Sequence, residues 1–319
     1  MSASTAPSLA PRATVDTAVG RARRGPASRR RGLKHAGWVL LFLLPSAIPL
    51  IAFVLVPMVG SAWVSLHRWN LISGMEWVGL DNYAKLLGDP TTRKVFGNTL
   101  MYIAGYLPLV YVGGLGLALL LNQAFRGRSF FRAAYFLPVV TSWVVVALVW
   151  QWLLNPSNGL VNQALGAIGL PEPGWWTDPT WALPSVVLAS AWKDLGFVMV
   201  ILLAGLQAIP GDVMEAARMD GANAWQRFRS ITLPLLSPST FFVVVISLVN
   251  GFQVFDQVYV MTGGGPSGAS QVVVGQIYDL TFRYGRAGEA SALSWLLFAL
   301  ILGVTAFQLH GQKRWVNHA

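Results

Sequence analysis

The chain has 319 residues, of which 54% are hydrophobic and 11% are charged, and its formal net charge is +10. Soluble domains carry about 25% charged residues, so this composition excludes an ordinary soluble protein and points to a lipid environment. The absence of cysteine excludes disulfides, zinc–cysteine sites and thiol catalysis. The positive charge does not by itself indicate a nucleic-acid partner, because eight of the 23 Lys and Arg residues precede the first apolar segment.

The N-terminal segment, residues 1–34, is rich in Ala, Ser, Pro and Arg and has no apolar period. This composition predicts a disordered basic tail. A specific lipid or nucleic-acid site is the alternative reading of its arginines. A basic run beside a membrane span more often sets orientation and contacts anionic head groups, so no nucleic-acid partner is predicted.

The rest of the chain, residues 35–319, contains six long apolar runs. A helix needs about 20 apolar residues to cross a hydrocarbon core of roughly 30 Å. No run alternates with a period of two, so helices are predicted rather than barrel strands. The first run is too long for a signal peptide and lacks a cleavage site. The sequence therefore predicts an all-α polytopic membrane protein with six transmembrane helices, at residues 38–66, 95–121, 133–154, 181–209, 238–260 and 290–309.

The distribution of Lys and Arg predicts the orientation of these helices. Sixteen of the 23 fall on the side that holds both termini, six fall on the other side, and Lys193 lies within the fourth helix. Loops rich in Lys and Arg remain in the cytoplasm. Both termini and the fourth loop, residues 210–236, are therefore predicted to be cytoplasmic.

The fourth loop is not a simple connector. Asp212 is expected to cap a short helix that runs through Met219. Gly221 then provides a C-terminal break. The loop therefore predicts a first short helix followed by an elbow.

A second short helix is predicted from Ala222 to Thr232, ended by Pro234. Trp225 and Phe228 are three residues apart and share one face of it. Two short amphipathic helices can lie on the membrane surface or dock into another protein. The residues alone favour neither reading.

The loop also carries a motif. Its pattern is Glu215-Ala216-Ala217, three residues, Gly221, nine residues, Ile231, one residue, then Leu233-Pro234. This pattern resembles, without a gap, the cytoplasmic loop motif of the permease subunits of bacterial binding-protein-dependent ABC importers. The chain also resembles the carbohydrate, maltose-type branch of that family through Asn98-Thr99-Leu100, Ala204-Gly205-Leu206-Gln207 and Gly264-Gly265-Pro266.

The resemblance implies the ABC type I importer permease fold in a bacterial cell (plasma or inner) membrane. It implies three kinds of partner besides the lipid bilayer: a second permease subunit, two ATP-binding subunits, and an extracytoplasmic solute-binding protein. The loop is then a coupling helix that sits in a cleft of the ATPase. The residues of that contact are Glu215, Ala216, Ala217, Asp220 and Gly221, with Trp225 and Phe228 packing around it.

The resemblance also implies that ATP and Mg²⁺ bind the partner ATPase. No Gly-x-x-x-x-Gly-Lys-Ser/Thr loop occurs in this chain, so no cofactor and no ATP hydrolysis are expected of it. No metal site is predicted. The chain is expected to be a transport subunit and not an enzyme.

Two ionisable residues, Lys193 and Asp194, lie in the middle of the fourth helix. Such groups are expensive in a membrane and are functional candidates. Adjacent helical residues point about 100° apart, so both cannot face one cavity. One or both can pair with a neighbouring helix, or one can contact solute. The resemblance to the sugar-contacting part of maltose-type permeases places Lys193, Asp194 and Phe197 at contact positions.

The fifth helix supplies a second candidate wall. Ser247, Asn250, Gly251 and Val254 are expected to share one helical face. In the family that this chain resembles, an asparagine-rich pattern on this face binds sugar. This chain has Gly251 and Val254 at two of the matching positions. The alternative is a close helix contact through Ser247, Asn250 and Gly251. Aromatic rings and neutral polar groups suit a sugar, and the sequence offers Trp192, Phe197, Phe252, Asn250 and Gln253.

The leading hypothesis is the transmembrane subunit of an ATP-driven importer of a sugar or sugar-like solute, working by alternating access. Glycerol 3-phosphate or glycerophosphodiesters are the alternative solutes, and a self-contained secondary carrier is a remote alternative. An enzyme would be expected to show paired carboxylates or histidines at membrane depth. The four histidines instead lie near helix ends or in the tail.

Overall fold

The computed structural model describes residues 42–315, with side chains up to residue 312. The predicted disordered tail and the C-terminus, whose cytoplasmic placement is a prediction, lie outside the described residues. The chain divides into two units, one ending at Met58 and one beginning at Val59.

The described residues are mainly helical. In chain order the helices are α1 (Phe42–Ser65), α2 (Asp81–Gly88), α3 (Pro90–Leu121), α4 (Arg128–Val140), α5 (Trp143–Leu153), α6 (Leu160–Ala167), α7 (Ala182–Gln207), α8 (Gly211–Met219), α9 (Ala224–Leu235), α10 (Ser237–Phe252), α11 (Asp256–Met261), α12 (Val273–Tyr278) and α13 (Ala287–Trp315). Two short strands, β1 (His67–Arg68) and β2 (Glu76–Trp77), pair antiparallel between α1 and α2.

Four of the described helices, α1, α3, α7 and α13, are each long and apolar enough to cross a membrane. Two bent pairs, α4 with α5 and α9 with α10, bring the possible spans in the described region to six. The predicted class, an all-α polytopic membrane protein, is confirmed. The ranges 133–154 and 238–260, each predicted as one helix, are each interrupted by a break.

The third predicted span breaks between α4 and α5 with a bend of 101°. Thr141 and Ser142 are extended there. A break at membrane depth is tolerated when the freed backbone carbonyls find other donors. The Thr141 hydroxyl donates to the Leu137 carbonyl at 3.1 Å, and the Lys193 ammonium donates to the Val139 carbonyl at 2.9 Å.

The fifth predicted span ends at Phe252, eight residues before its expected end. Asn250 and Gly251 have low helix propensity, and the backbone at Phe255 is not helical. The chain restarts as α11, whose first turn holds Asp256, where the helix dipole favours an anion. A short non-helical segment, residues 253–255, therefore interrupts this wall.

The core of the larger unit forms where α3 packs along α7. Small residues on α3 allow the close approach, because a Cβ on Gly114 would lie 2.5 Å from Val198 Cγ1. Helices α4 and α10 also pack on this pair. The resulting core is apolar, and its fully buried members include Val110, Ala118, Val186, Met199, Leu202 and Val243.

Helix α3 begins with a strong N-cap. Asp89 accepts hydrogen bonds from the backbone amides of Thr91 at 3.2 Å and Thr92 at 3.1 Å. Partial burial alone would raise the pKa of Asp89, but these bonds and the threonine hydroxyls lower it below its ordinary value. The cap fixes the start of the helix that carries two of the cavity residues described below.

Candidate functional site

Helix α8 ends at Met219, and residues 219–223 form a sharp turn at Gly221, called the elbow, that leads to α9. Gly221 has φ +77°, in the left-handed region that glycine adopts without steric cost. Its amide donates to the Arg218 carbonyl at 3.1 Å, and the Ala222 amide donates to the Ala217 carbonyl at 3.0 Å. These two bonds form a Schellman motif, so the predicted break at Gly221 is confirmed.

The prediction that Asp212 caps α8 is wrong. The helix begins at Gly211 with Pro210 as its N-cap, and no side-chain bond caps it. Asp212 lies in the first turn, where its carboxylate accepts from the Val213 amide at 2.9 Å. It still places a negative charge at the positive end of the helix dipole.

The second helix of the loop differs from its predicted bounds. It begins at Ala224, because Asn223 and Gln226 form a reciprocal capping box. Pro234 does not end it. The helix passes through a π turn at Phe228–Thr232 and continues to Leu235, and a 64° bend then leads into α10.

The predicted coupling residues divide by exposure. Glu215, Ala216, Asp220, Gly221 and Trp225 are exposed, whereas Ala217 is buried and Phe228 is partly buried against the core. The Trp225 and Phe228 rings lie 5.6 Å apart, on one face as their spacing predicts. Sequence reasoning missed the most exposed apolar side chain of the elbow, Met219, which is 88% exposed.

The two ionisable residues of α7 point in different directions. Lys193 is 5% exposed, bonds the Val139 carbonyl and lies with its Nζ 4.8 Å from the centre of the Trp143 ring. Asp194 instead accepts a 2.8 Å hydrogen bond from the Tyr106 hydroxyl on α3. The geometry therefore gives Lys193 a helix-packing contact and leaves Asp194 beside a cavity.

That cavity has a volume of about 260 Å³, near the lower end for ligand pockets. Its walls come from α3, α5, α7, the end of α10, the non-helical segment after it and the start of α11. The rings of Tyr102 and Tyr106 stack along one side of the cavity, with their centroids 5.4 Å apart. The lining residues are Tyr102, Tyr106, Trp143, Asp194, Asn250, Gln253, Val254, Phe255, Asp256 and Gln257.

Four of the predicted pathway residues, Asp194, Asn250, Gln253 and Val254, line this cavity. The expectation that Val254 shares a helical face with Ser247 is wrong, because α10 ends at Phe252. Val254 reaches the cavity through the non-helical segment.

The remaining pathway residues lie elsewhere. Gly251 packs against α3, since a Cβ there would lie 2.8 Å from Ile103 Cγ1, and Ser247 is buried. Trp192 packs edge-on against Trp150, and Phe197 packs on the core. The close approach of Gly251 to α3 agrees with the helix contact that was the alternative interpretation of this part of the fifth helix.

Sequence reasoning missed six lining residues: Tyr102, Tyr106, Trp143, Phe255, Asp256 and Gln257. The available signal was weak. Tyr102 and Tyr106 are four residues apart and so share a face of a predicted span. The aromatic and polar residues after Asn250 became cavity walls only because the helix breaks there. Among the described residues, no three His, Asp or Glu side chains are grouped to hold a metal ion.

Comparison with known proteins places these features in a family. Residues 111–316 match the family described as binding-protein-dependent transport system inner membrane component. The chain belongs to this family. The matched region contains the elbow and most of the cavity, and the permease is a multi-pass component of the cell membrane.

Individual relatives cover most of the permease. It is 35% identical over 274 residues to the probable ABC transporter permease protein YurN of Bacillus subtilis, covering 84% of this chain and 94% of the relative. It is 37% identical over 276 residues to the trehalose/maltose transport system permease protein MalF of Thermococcus litoralis, covering 84% and 91%.

A solved structure shows the same fold. A chain of a bacterial alginate ABC transporter, crystallised with an alginate pentasaccharide-bound periplasmic protein, superposes with a TM-score of 0.78 at 27% identity. The match covers 89% of this chain and 96% of that one. The permease therefore has the ABC importer permease fold that its loop motif implied.

Asn98 and Thr99, which belong to one of the other motifs, bond the segment that follows the Gly264-Gly265-Pro266 motif. The Asn98 amide donates to the Gly268 and Gln271 carbonyls at 3.0 and 2.9 Å, and the Thr99 hydroxyl accepts from the Val273 amide at 3.1 Å. Together they hold the glycine-rich segment after α11 against the start of α3. This contact anchors the chain after α11, on the C-terminal side of the break at residues 253–255.

Proposed function

We propose that this permease is the transmembrane subunit of an ATP-driven importer for a sugar or sugar-like solute, working by alternating access. Its partners are a second permease subunit, two ATP-binding subunits that hold ATP and Mg²⁺, and an extracytoplasmic solute-binding protein. One relative supports the solute class by name, since it is a trehalose/maltose transport system permease protein.

One observation carries the proposal: the elbow lies between α7 and α10, two of the helices that wall the cavity. α7 carries Asp194 and leads through Ile209 and Pro210 into α8, while α9 continues into α10, which carries Asn250. Asp194 and Asn250 each lie about 20 Å along their helix from the fourth loop, at 1.5 Å per residue. A displacement of the elbow by an ATPase is therefore transmitted to both walls.

The cavity chemistry agrees with a sugar. Asn250, Gln253 and Gln257 offer amide donors and acceptors, and Trp143 and Phe255 offer aromatic surface. In the proposed cycle, the binding protein delivers solute to the outer side and ATP binding closes the ATPases. That closure moves the elbow and opens the cavity outward, and hydrolysis resets it.

The first test is purification of the tagged permease from its own membranes in mild detergent, with mass spectrometry of what accompanies it. We expect a second permease and an ATP-binding subunit. Uptake of labelled maltose and trehalose by the same cells should fail on ATP depletion and survive a protonophore that leaves ATP intact. A permease that purifies alone, in cells whose uptake collapses with the proton gradient, would favour a self-contained carrier.

A further inference from the structure

We infer that the cavity selects solutes by charge, admitting neutral or cationic sugars and disfavouring anionic ones. The inference rests on the proposed function, because it assigns the solute class of the same cavity. It follows from which charged side chains line the cavity and which turn away from it.

The lining contains two carboxylates, Asp194 and Asp256, and no lysine or arginine among the described residues. The nearby cation Lys193 is committed elsewhere. Its ammonium donates to the Val139 carbonyl at the break between α4 and α5, at 2.9 Å, and its Nζ lies 4.8 Å from the centre of the Trp143 ring. No lining side chain among the described residues therefore carries a positive charge that could pair with an entering anion.

The neutral groups of the lining favour a polyhydroxyl solute. The side-chain amides of Asn250 and Gln253 have no hydrogen-bond partner in the part of the chain that the structure describes. Asp194 accepts one bond from Tyr106, and its carboxylate has further acceptor positions. Sugar hydroxyls can donate to this carboxylate and exchange bonds with both amides.

An acidic sugar meets the opposite situation. Its carboxylate would enter a cavity of lowered dielectric beside Asp194, where like charges repel more strongly than in water. Desolvation of an unpaired anion adds to the cost. The walls thus discriminate between two sugars that differ only in a carboxylate.

The test is direct binding of three tritiated sugars with one ring skeleton: glucose, glucuronate and glucosamine. The sample is the purified permease–ATPase complex in nanodiscs without the solute-binding protein, so that selection by that protein cannot contribute. We expect glucuronate to bind at least tenfold more weakly than glucose, which corresponds to about 1.4 kcal/mol. Glucosamine should bind at least as well as glucose.

Two variants assign the effect to the lining carboxylates. Asp194→Asn keeps the shape and an acceptor for Tyr106, and should reduce the preference for glucose over glucuronate at least threefold. Asp256→Asn changes an exposed side chain, so it reports on the charge even if the first variant folds poorly. Asp81→Asn, which removes an exposed carboxylate outside the cavity, is the matched control and should leave the preference unchanged.

Equal binding of glucose and glucuronate by the wild-type complex would overturn the inference. So would a preference that both cavity variants leave intact. These outcomes concern an assembled complex that contains the ATPase, so the proposed function survives them. Failure to assemble with an ATPase would instead defeat the proposed function.

Discussion

Lys193 and Asp194 show how adjacent residues take different tasks. The helical period alone predicts that they cannot both face one cavity, but it does not say which one does. The answer depends on a carbonyl 54 positions away in sequence, because Val139 at the broken helix requires a donor. Asp194, with Tyr106 as its partner, is left to line the cavity.

At the same scale, Gly221 provides the sharpest test of the elbow. Its φ of +77° strains any β-branched residue, and nothing lies within 4 Å of a Cβ placed there. Gly221→Val should therefore distort the elbow through its backbone, a cost of about 1–3 kcal/mol, and reduce ATPase co-purification and uptake roughly tenfold. Gly221→Asn should retain most of both, since asparagine tolerates the left-handed region.

Normal uptake by Gly221→Val would count against the elbow as the coupling element. Equal losses in the valine and asparagine variants would point to the glycine's lack of a side chain, and not its φ, as the requirement. Expression level and membrane insertion of each variant serve as controls.

At the scale of elements, the sequence predicts the six apolar segments and misses the two breaks. Hydropathy averages over about 20 residues, and neither Thr141–Ser142 nor residues 253–255 carry a charge that would interrupt an apolar run. At the first break, the donor to the Val139 carbonyl is Lys193, which comes from another helix. The local sequence pattern therefore could not reveal the two breaks. The main errors of the sequence-based prediction are the bounds of the third and fifth spans.

Gly196 tests the contact that supports the first break. A Cβ at this position of α7 would lie 2.1 Å from the Tyr135 carbonyl oxygen of α4, and a backbone atom cannot rotate away. Gly196→Ala should lower the apparent melting temperature in detergent by several degrees, since overpacking typically costs about 1–3 kcal/mol. Gly116→Ala on α3 is the matched control, because nothing lies within 4 Å of its added Cβ.

The control should melt at or above the wild-type temperature, because alanine favours a helix by about 1 kcal/mol over glycine. Fluorescence-detected size-exclusion chromatography after heating measures both variants on the same day. A Gly196→Ala variant as stable as the control would show that α4 and α7 do not approach so closely.

At the scale of the whole molecule, the loop motif identified the family and the elbow before any contact was known. The cavity was only partly predictable. Asp194, Asn250, Gln253 and Val254 stood out as polar or family-matched positions, whereas Tyr102, Trp143 and Phe255 resemble ordinary apolar membrane residues. They become a site only when the packing of several helices brings them together around the break after α10.

The arrangement gives the molecule a simple mechanical logic. The exposed elbow lies between α7 and α10, two of the helices that wall the cavity. An external subunit that moves the elbow can therefore displace both helices together. The central claim is therefore that this elbow contacts the ATPase. Its most exposed apolar residue, Met219, offers a position at which that contact can be probed.

The measurement that tests this claim most directly uses the absence of cysteine from the chain. Met219→Cys, labelled with a photoactivatable maleimide in isolated membranes, is irradiated and its cross-linked partner identified by mass spectrometry. Ile72→Cys is the control, since that residue is 93% exposed in a loop predicted on the outer side. We expect attachment of the ATP-binding subunit at position 219 and not at position 72, and attachment only at position 72 would contradict contact between the elbow and the ATPase.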